Sequence, residues 1–212
     1  MSQYIKERNR LLAQKILKGL ASRNMEGCFV ETKEEALKKA LEIIPEGAKV
    51  SWGGATSAGE IGLLKVMLEG NYETHPRETA PTPEEKRAAE LFAYAADYYL
   101  ASVNAITEDG ILINIDGNAN RVSAIAYGPL HVLFIVGMNK VATDYDAALS
   151  RARGIAATSN AQRFPLDTPC KKTGACADCK SPDTICCQFL TTRYSKHPGR
   201  IQVILVNEDL GF

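Results

Sequence analysis

Segments with helical apolar spacing alternate along the first part of the chain with short apolar runs typical of strands. Apolar residues recur at helical spacing over residues 3–24, which predicts a helix with one buried face. Thr32 and Glu35 have the spacing of a capping box, so a second helix is expected to begin there. The apolar runs 27–31 and 49–52, on either side of that helix, are expected to form strands.

Two further capping patterns predict where the next helices start. Ser57 with Glu60 predicts a helix that ends near residue 69. Residues 82–85 combine an N-cap threonine, a first-turn proline and a glutamate at the box position. They predict a helix that ends near residue 96.

The second half of the chain continues the alternation of strands and helices. We expect strands over 98–106, 110–115, 131–136 and 201–206, and helices over 118–126 and 144–159. This order predicts an α/β fold with a mainly parallel sheet flanked by helices. We expect residues 1–212 to form a single domain, with 168–190 inserted as a cysteine-rich loop before the returning strand 201–206.

Composition narrows the classes of partner and compartment. Lysine plus arginine equals aspartate plus glutamate, 25 each, so no net field attracts nucleic acid or an anionic membrane. The most apolar stretch, 124–138, contains Gly128, Pro129 and His131 and is too short to span a bilayer. The first ten residues are polar and do not resemble a signal peptide. We therefore expect a cytoplasmic protein with no nucleic-acid or membrane partner.

A cysteine-rich segment is the most distinctive part of the sequence. Between Cys170 and Cys187 the spacing is C-x5-C-x2-C-x6-C, followed directly by one more cysteine. The segment is polar and aperiodic, so burial of apolar surface cannot hold it. An all-cysteine set with one C-x2-C pair favours an iron–sulfur cluster. Zinc, which prefers two such pairs, and thiols or disulfides without metal remain the alternatives.

Two groups of loop residues could bind or transform a small molecule. The glycine-rich turn after the strand 49–52 allows close backbone approach to a phosphate or carboxylate, although a simple capped turn has the same sequence. Carboxylates, amides and one arginine follow the strands ending near residues 106 and 115, where α/β sheets expose ligand-binding loops, although such residues are also common in turns. The candidate catalytic residues are Glu108, Asp116 and Arg121, and the candidate ligand-binding residues are Gly53, Gly54, Thr56, Ser57, Asn118, Asn120 and Lys140.

Three segments together resemble one known family. They are ITEDGILINIDGNANRVSAIAYGPLHVLFIVGMNK, the cysteine loop and the run RIQVILVNEDLGF. The combination resembles the lactate utilization (LUD domain) family, and most closely its stand-alone members with a C-terminal cysteine motif. The resemblance implies a fold like that of the sugar-phosphate isomerase and CoA-transferase superfamily, whose glycine-rich loop commonly binds anions. A family pattern DG-x-GNR aligns with residues 116–121, but Ala119 stands where glycine is usual.

The resemblance also implies a function. Family members are linked to oxidation of L-lactate to pyruvate in a complex with iron–sulfur partner proteins. The cluster implied here is [4Fe–4S], with zinc as the alternative, and its ligands would be Cys170, Cys176, Cys179 and Cys186, with Cys187 as an extra thiol. A small carboxylate or phosphate is the expected substrate, and a homo-oligomer is compatible with the sequence.

Two other functions stay open at this stage. One is a non-redox binding or regulatory module whose metal loop is structural. The other is an enzyme of the isomerase or acyl-transfer type that uses Glu108 or Asp116. The sequence does not decide whether the protein is catalytic.

Overall fold

The computed structural model describes residues 2–212, and its helices and strands follow the α/β order. The helices are α1 Gln3–Ser22, α2 Lys33–Ile43, α3 Thr56–Glu60, α4 Leu63–Glu69, α5 Pro83–Phe92, α6 Asn120–Ala126, α7 Tyr145–Arg151, α8 Thr158–Ala161 and α9 Pro169–Thr173. The strands are β1 Glu26–Val30, β2 Lys49–Trp52, β3 Glu73–Thr74, β4 Tyr98–Ala101, β5 Ala105–Thr107, β6 Leu112–Asp116, β7 His131–Gly137, β8 Val141–Ala142, β9 Gln188–Thr192 and β10 Ile201–Val206. None of the helices within this range has both the length and the apolar character needed to cross a bilayer.

A six-stranded parallel sheet is the centre of the fold. Its strand order is β1-β10-β7-β4-β2-β3, and every neighbouring pair is parallel. Apolar side chains from β7 and β10 alternate between two hydrophobic clusters, one including Phe134 and Val203 and the other Ile135 and Ile204. Helix α1 contributes to the first cluster and α2 to the second, so both faces are covered. The predicted fold class, a mainly parallel sheet flanked by helices, is confirmed.

A second sheet of four strands lies beside the first and was not expected from the sequence. Its order is β8-β5-β6-β9, and β6 pairs antiparallel with both β5 and β9. The single strand expected over 98–106 is therefore two strands, because the chain leaves the first sheet after Ala101 and enters the second at Ala105. Between them, the Asn104 side-chain oxygen accepts a hydrogen bond from the Ile115 amide at 2.7 Å and joins the crossing to β6.

The structure changes two of the expected helices. The segment expected from Ser57 to residue 69 is divided into α3 and α4 at Gly62, whose φ of 82° is left-handed. The capping box expected at Ser57 is absent, because α3 starts one residue earlier and the Ser57 hydroxyl bonds elsewhere. The box at residues 82–85 is confirmed. The helix expected over 144–159 continues from α7 into α8 through a π-helical segment, Ala152–Ala157.

The carboxyl ends of three central strands meet at one edge of the parallel sheet. Strand β2 continues into the turn 53–55, β4 into 102–104 and β7 into 138–140. Parallel strands place such turns side by side, which is where α/β proteins bind ligands. A ligand site is therefore expected at this edge.

Gly19 in α1 provides a test of how this helix docks. A Cβ at Gly19 would overlap the Asp109 carbonyl, a backbone atom that cannot rotate away. Gly19→Ala is therefore expected to lower the unfolding free energy by about 2 kcal/mol despite alanine's better helix propensity. Gly154→Ala is the matched control, because a Cβ there meets no atom within 4 Å. It should leave stability unchanged or raise it by up to about 1 kcal/mol in urea unfolding, and similar losses in both variants would contradict the close docking.

Candidate functional site

A cleft of about 480 Å³ opens at the carboxyl edge of the parallel sheet. The turns after β2, β4, β6 and β7 line it, together with residues 160–166 and 182–185. Nine of the ten residues predicted for catalysis or ligand binding lie in its wall: Gly53, Gly54, Thr56, Ser57, Asp116, Asn118, Asn120, Arg121 and Lys140.

Glu108 is the predicted residue that this cleft does not include. Its carboxylate pairs with the Lys15 ammonium of α1 at 2.7 Å. Glu108 follows β5, and β5 belongs to the second sheet, so the turn after it faces α1 instead of the parallel-sheet edge. In the structure this carboxylate therefore joins the turn after β5 to α1 through an ion pair.

Cationic side chains dominate the available charge in the cleft. Its wall contains the cationic residues Arg77, Arg121, Lys140 and Arg163 and the acidic residues Glu78, Asp116 and Asp183. The carboxylates of Asp116 and Asp183 accept backbone N–H groups and are partly neutralised by them. The cleft therefore suits a small anion better than a neutral or cationic molecule.

Asp116 organises the turn that leads into α6. Its carboxylate accepts hydrogen bonds from the backbone amides of Asn118, Arg121 and Val122, each at 3.1 Å. The turn includes Ala119 in the left-handed region with φ of 65°, at the position where a glycine would avoid the strain. Asp116 thus supplies the cap that the first turn of α6 needs.

The Arg121 side chain is held between the turn and the cleft. Its Nη2 donates to the Ile115 carbonyl, and its Nε lies 3.6 Å from the Asp116 carboxylate. Gly53 lies beside it and leaves space for the Tyr99 hydroxyl, because a Cβ at Gly53 would lie 2.5 Å from that oxygen, whereas its 3.5 Å distance from Arg121 Cβ would be an ordinary contact. Arg121 is positioned to present its remaining donors to a carboxylate or phosphate in the cleft.

Lys140 is a buried amine in the wall of the cleft. Its Nζ donates to the hydroxyls of Ser57 at 3.1 Å and Ser102 at 3.0 Å. The pKa of Lys140 is lowered from its ordinary value to about 7, chiefly by burial, with the Arg151 and Arg121 charges contributing and Glu60 opposing the shift. A substantial fraction of this side chain is therefore a neutral amine near pH 7.

Sequence reasoning missed several residues of the cleft. Ser102 follows an apolar strand directly, which is the same signal that identified the loops after β2 and β6. Arg77 and Arg163 lie in connecting segments without a pattern that marks them, and only the folded chain brings them to the cleft. Asn160 and Phe212 also line the cleft, and they too are brought there only by the folded chain.

The cysteine-rich loop forms one wall of the cleft. Residues 182–185 line it directly, and a Cβ at Gly117 would lie 3.2 Å from the Ile185 backbone. The Cys187 amide donates to the Asp116 carbonyl at 2.9 Å, which joins the loop to β6. The predicted metal ligands are therefore adjacent to the anion cleft.

All six cysteines are free thiols, and those of the loop are neighbours. The pKa of Cys186 is raised to about 11, chiefly by burial against the second sheet and also by the nearby thiols of Cys176, Cys170, Cys179 and Cys187. This set of four or five thiols has the chemistry that an iron–sulfur cluster requires. No group of three or more His, Cys, Asp or Glu side chains within residues 2–212 is arranged to hold a metal ion, so the loop would have to close on one.

The two predicted carboxylates should differ in their effect on stability. Asp116→Ala removes three backbone hydrogen bonds and is expected to lower the unfolding free energy by about 2 kcal/mol. Glu108→Ala removes one ion pair with a largely exposed lysine and should cost less than about 1 kcal/mol. Denaturant unfolding of both variants compares them, and equal losses would show that Asp116 does not anchor α6.

Comparison with known proteins places the chain in a family. No match was found among curated proteins. A solved structure described as a DUF162 family protein from Deinococcus radiodurans is similar in fold, with a TM-score of 0.55 at 12% identity over 94% of this chain and 98% of that chain. The family model described as LUD domain matches residues 13–206, nearly the whole chain. The chain therefore belongs to the LUD domain family, which is linked to lactate utilization.

Proposed function

We propose that this protein is a cytoplasmic redox protein of lactate or related hydroxy-acid utilization. It binds a small carboxylate or phosphate in the cleft and a [4Fe–4S] cluster on the cysteine loop. One observation carries the proposal: the loop with the clustered thiols is itself a wall of the cationic cleft. A ligand in the cleft and a metal on the loop would be neighbours.

The cysteine loop supplies the ligands in this proposal. Cys170, Cys176, Cys179 and Cys186 would hold the cluster, which would exchange electrons with a bound substrate or with iron–sulfur partner proteins. The Arg153 guanidinium donates to Cys176 Sγ at 3.8 Å and would stabilise negative charge on that sulfur. The loop is exposed at Cys176, which leaves a path for a partner protein.

The cleft residues bind and orient the anion. Arg121 presents guanidinium donors, Asn118 and Asn120 add amides beside it, and Lys140 lies in the same wall. A 2-hydroxy acid offers a carboxylate for the cations and a hydroxyl for an amide. The predicted result is that L-lactate or pyruvate raises the melting temperature, and that Arg121→Ala removes this effect while the exposed control Arg87→Ala keeps it.

Metal analysis of protein purified without oxygen tests the redox part. The proposal expects bound iron with matching sulfide and a broad visible absorption band that oxygen bleaches. Stoichiometric zinc without iron would overturn it and favour a structural metal loop. If the protein binds neither iron nor zinc and hydroxy acids do not change its melting temperature, the redox proposal is contradicted and the protein has a different function.

A further inference from the structure

Ser57, Ser102 and Lys140 form a closed triangle of hydrogen bonds in the wall of the cleft. Ser57 Oγ lies 3.1 Å from Ser102 Oγ, and Lys140 Nζ lies 3.1 Å and 3.0 Å from the two hydroxyls. The three side chains come from the turns after β2, β4 and β7. A site that only binds an anion does not need two hydroxyl groups hydrogen-bonded to one buried amine.

The direction of the hydrogen bonds distinguishes the two serines. Ser102 donates its hydroxyl hydrogen to the Ile135 carbonyl at 2.7 Å, so its oxygen acts as an acceptor within the triangle. In the structure the Ser57 hydroxyl donates to Ser102 Oγ and accepts from Lys140 Nζ. A neutral Lys140 has one lone pair, which can accept the Ser57 hydroxyl hydrogen after rotation about the Cβ–Oγ bond of Ser57. Lys140 can therefore take a proton from Ser57.

Lys140 also has the surroundings of a general base. Its partners are hydroxyls, and no ion pair holds it in the charged form within the described residues 2–212. The charges that act on it are Arg151 and Arg121, which disfavour the ammonium, and Glu60, which favours it. Glu60 also accepts the Gly211 amide at 2.9 Å, which draws part of its charge away.

We propose that Ser57 is a nucleophile for acyl transfer, with Lys140 as its general base and Ser102 as a positioning residue. The acyl donor would be a small ester or thioester that carries a carboxylate or phosphate, because Ser57 lies in the wall of the cationic cleft beneath the segment 210–212. This inference uses the anion cleft of the proposed function but does not depend on a metal in the cysteine loop.

The reaction balances without a cofactor. Ser57 Oγ bonds to the carbonyl carbon while its proton passes to Lys140 Nζ, and the bond to the leaving alcohol or thiol breaks as Lys140 returns that proton. Water then attacks the acyl-serine, gives one proton to Lys140 and releases the acid. Ser57 recovers its proton, so the net change is hydrolysis of the ester.

The segment 210–212 covers the triangle. A Cβ at Gly211 would lie 3.0 Å from Ser57 Oγ and 3.1 Å from Lys140 Nζ, and Ser57 has no exposed surface. The segment is held by Glu60 and by Arg151, whose Nη1 lies 3.2 Å from the Phe212 carbonyl oxygen. A chain without residues 211–212 should therefore react faster than the full chain.

Acetylation by p-nitrophenyl acetate tests the proposal with the protein as purified. Intact mass and peptide mapping should find one acetyl group on Ser57, and Ser57→Ala should not acquire it. Lys140→Met should slow acetylation at least about 100-fold, and the ratio of wild-type to Lys140→Met rates should rise about tenfold from about pH 6 to pH 8. The exposed controls Ser22→Ala and Lys65→Met should react like the wild type.

Three further observations keep the test decisive. Melting curves establish that each variant folds, and Ser102→Thr should restore most of the rate that Ser102→Ala loses. Acetyl groups on Lys140 instead of Ser57 would overturn the assignment of the nucleophile. Absence of acetyl-Ser57 in both the full chain and the chain without residues 211–212 would overturn the proposal, and iron binding would be unaffected by that outcome.

Discussion

The unfolding free energy of the wild type is expected to rise by about 2 kcal/mol between about pH 6 and pH 9, and the substitution Lys140→Met is expected to remove this rise. The folded protein holds Lys140 with a pKa of about 7, while the unfolded chain has the ordinary value of 10.5. Between about pH 7 and pH 10.5 the unfolded chain therefore binds up to one proton more than the folded protein. The cost of burying the ammonium is complete below pH 7 and is relieved as the pH rises towards 10.5.

Urea unfolding at several pH values measures this effect. The wild type should gain stability from pH 6 to pH 9 relative to Lys140→Met, whose buried side chain does not titrate. Lys65→Met is the matched control, because Lys65 is exposed and its removal should leave the pH profile unchanged. Parallel profiles for the wild type and Lys140→Met would show that the amine is not buried in the neutral form.

Cys186→Ser is expected to lose the bound iron, whereas Cys187→Ser should retain it. Cys186 is half-buried beside the second sheet with the other loop thiols around it. Cys187 is exposed, and its thiol lies 3.6 Å from the Thr184 carbonyl. In the proposed function Cys186 is therefore the ligand, and Cys187 lies outside the cluster.

Iron and sulfide content of protein prepared without oxygen measures both variants. Cys170→Ser, Cys176→Ser and Cys179→Ser should behave like Cys186→Ser, while Cys28→Ser, on β1, is a control that should keep full iron content. Loss of iron in Cys187→Ser with retention in Cys186→Ser would reverse the ligand assignment. Melting curves distinguish loss of metal from loss of the fold.

The sequence predicted the parallel sheet because two of its inner strands, β7 and β10, are long and almost fully buried. The runs His131–Gly137 and Ile201–Val206 are apolar at nearly every position, which is typical of strands covered on both faces. The second sheet could not be predicted in the same way. Its strands β5 and β8 have three and two residues, and the exposed strand β9 follows the aperiodic cysteine loop.

The residues of the site were predictable only where they lie at or just after the end of one apolar strand. Gly53, Asp116 and Lys140 each follow an apolar strand, and all three reach the cleft. The contact between Lys140 and Ser57 joins residues 83 positions apart, and periodicity contains no information about such pairs. Glu108, like Asp116, lies at the end of a strand, but it is outside the cleft because its strand belongs to the second sheet. The sequence did not predict that sheet.

The ladder between β6 and β9 gives the cysteine loop a mechanical connection to the anion cleft. Asp116 pairs with Gln188 at the end of this ladder, and the next amide, that of Cys187, is bonded to the Asp116 carbonyl. If the loop closes on a metal as proposed, a displacement of β9 would be transmitted through this ladder to the turn that orients Arg121. A ligand in the cleft that prefers one arrangement of that turn would then change the affinity of the loop for metal. By thermodynamic linkage, the metal would change the affinity of the cleft for the ligand by the same factor.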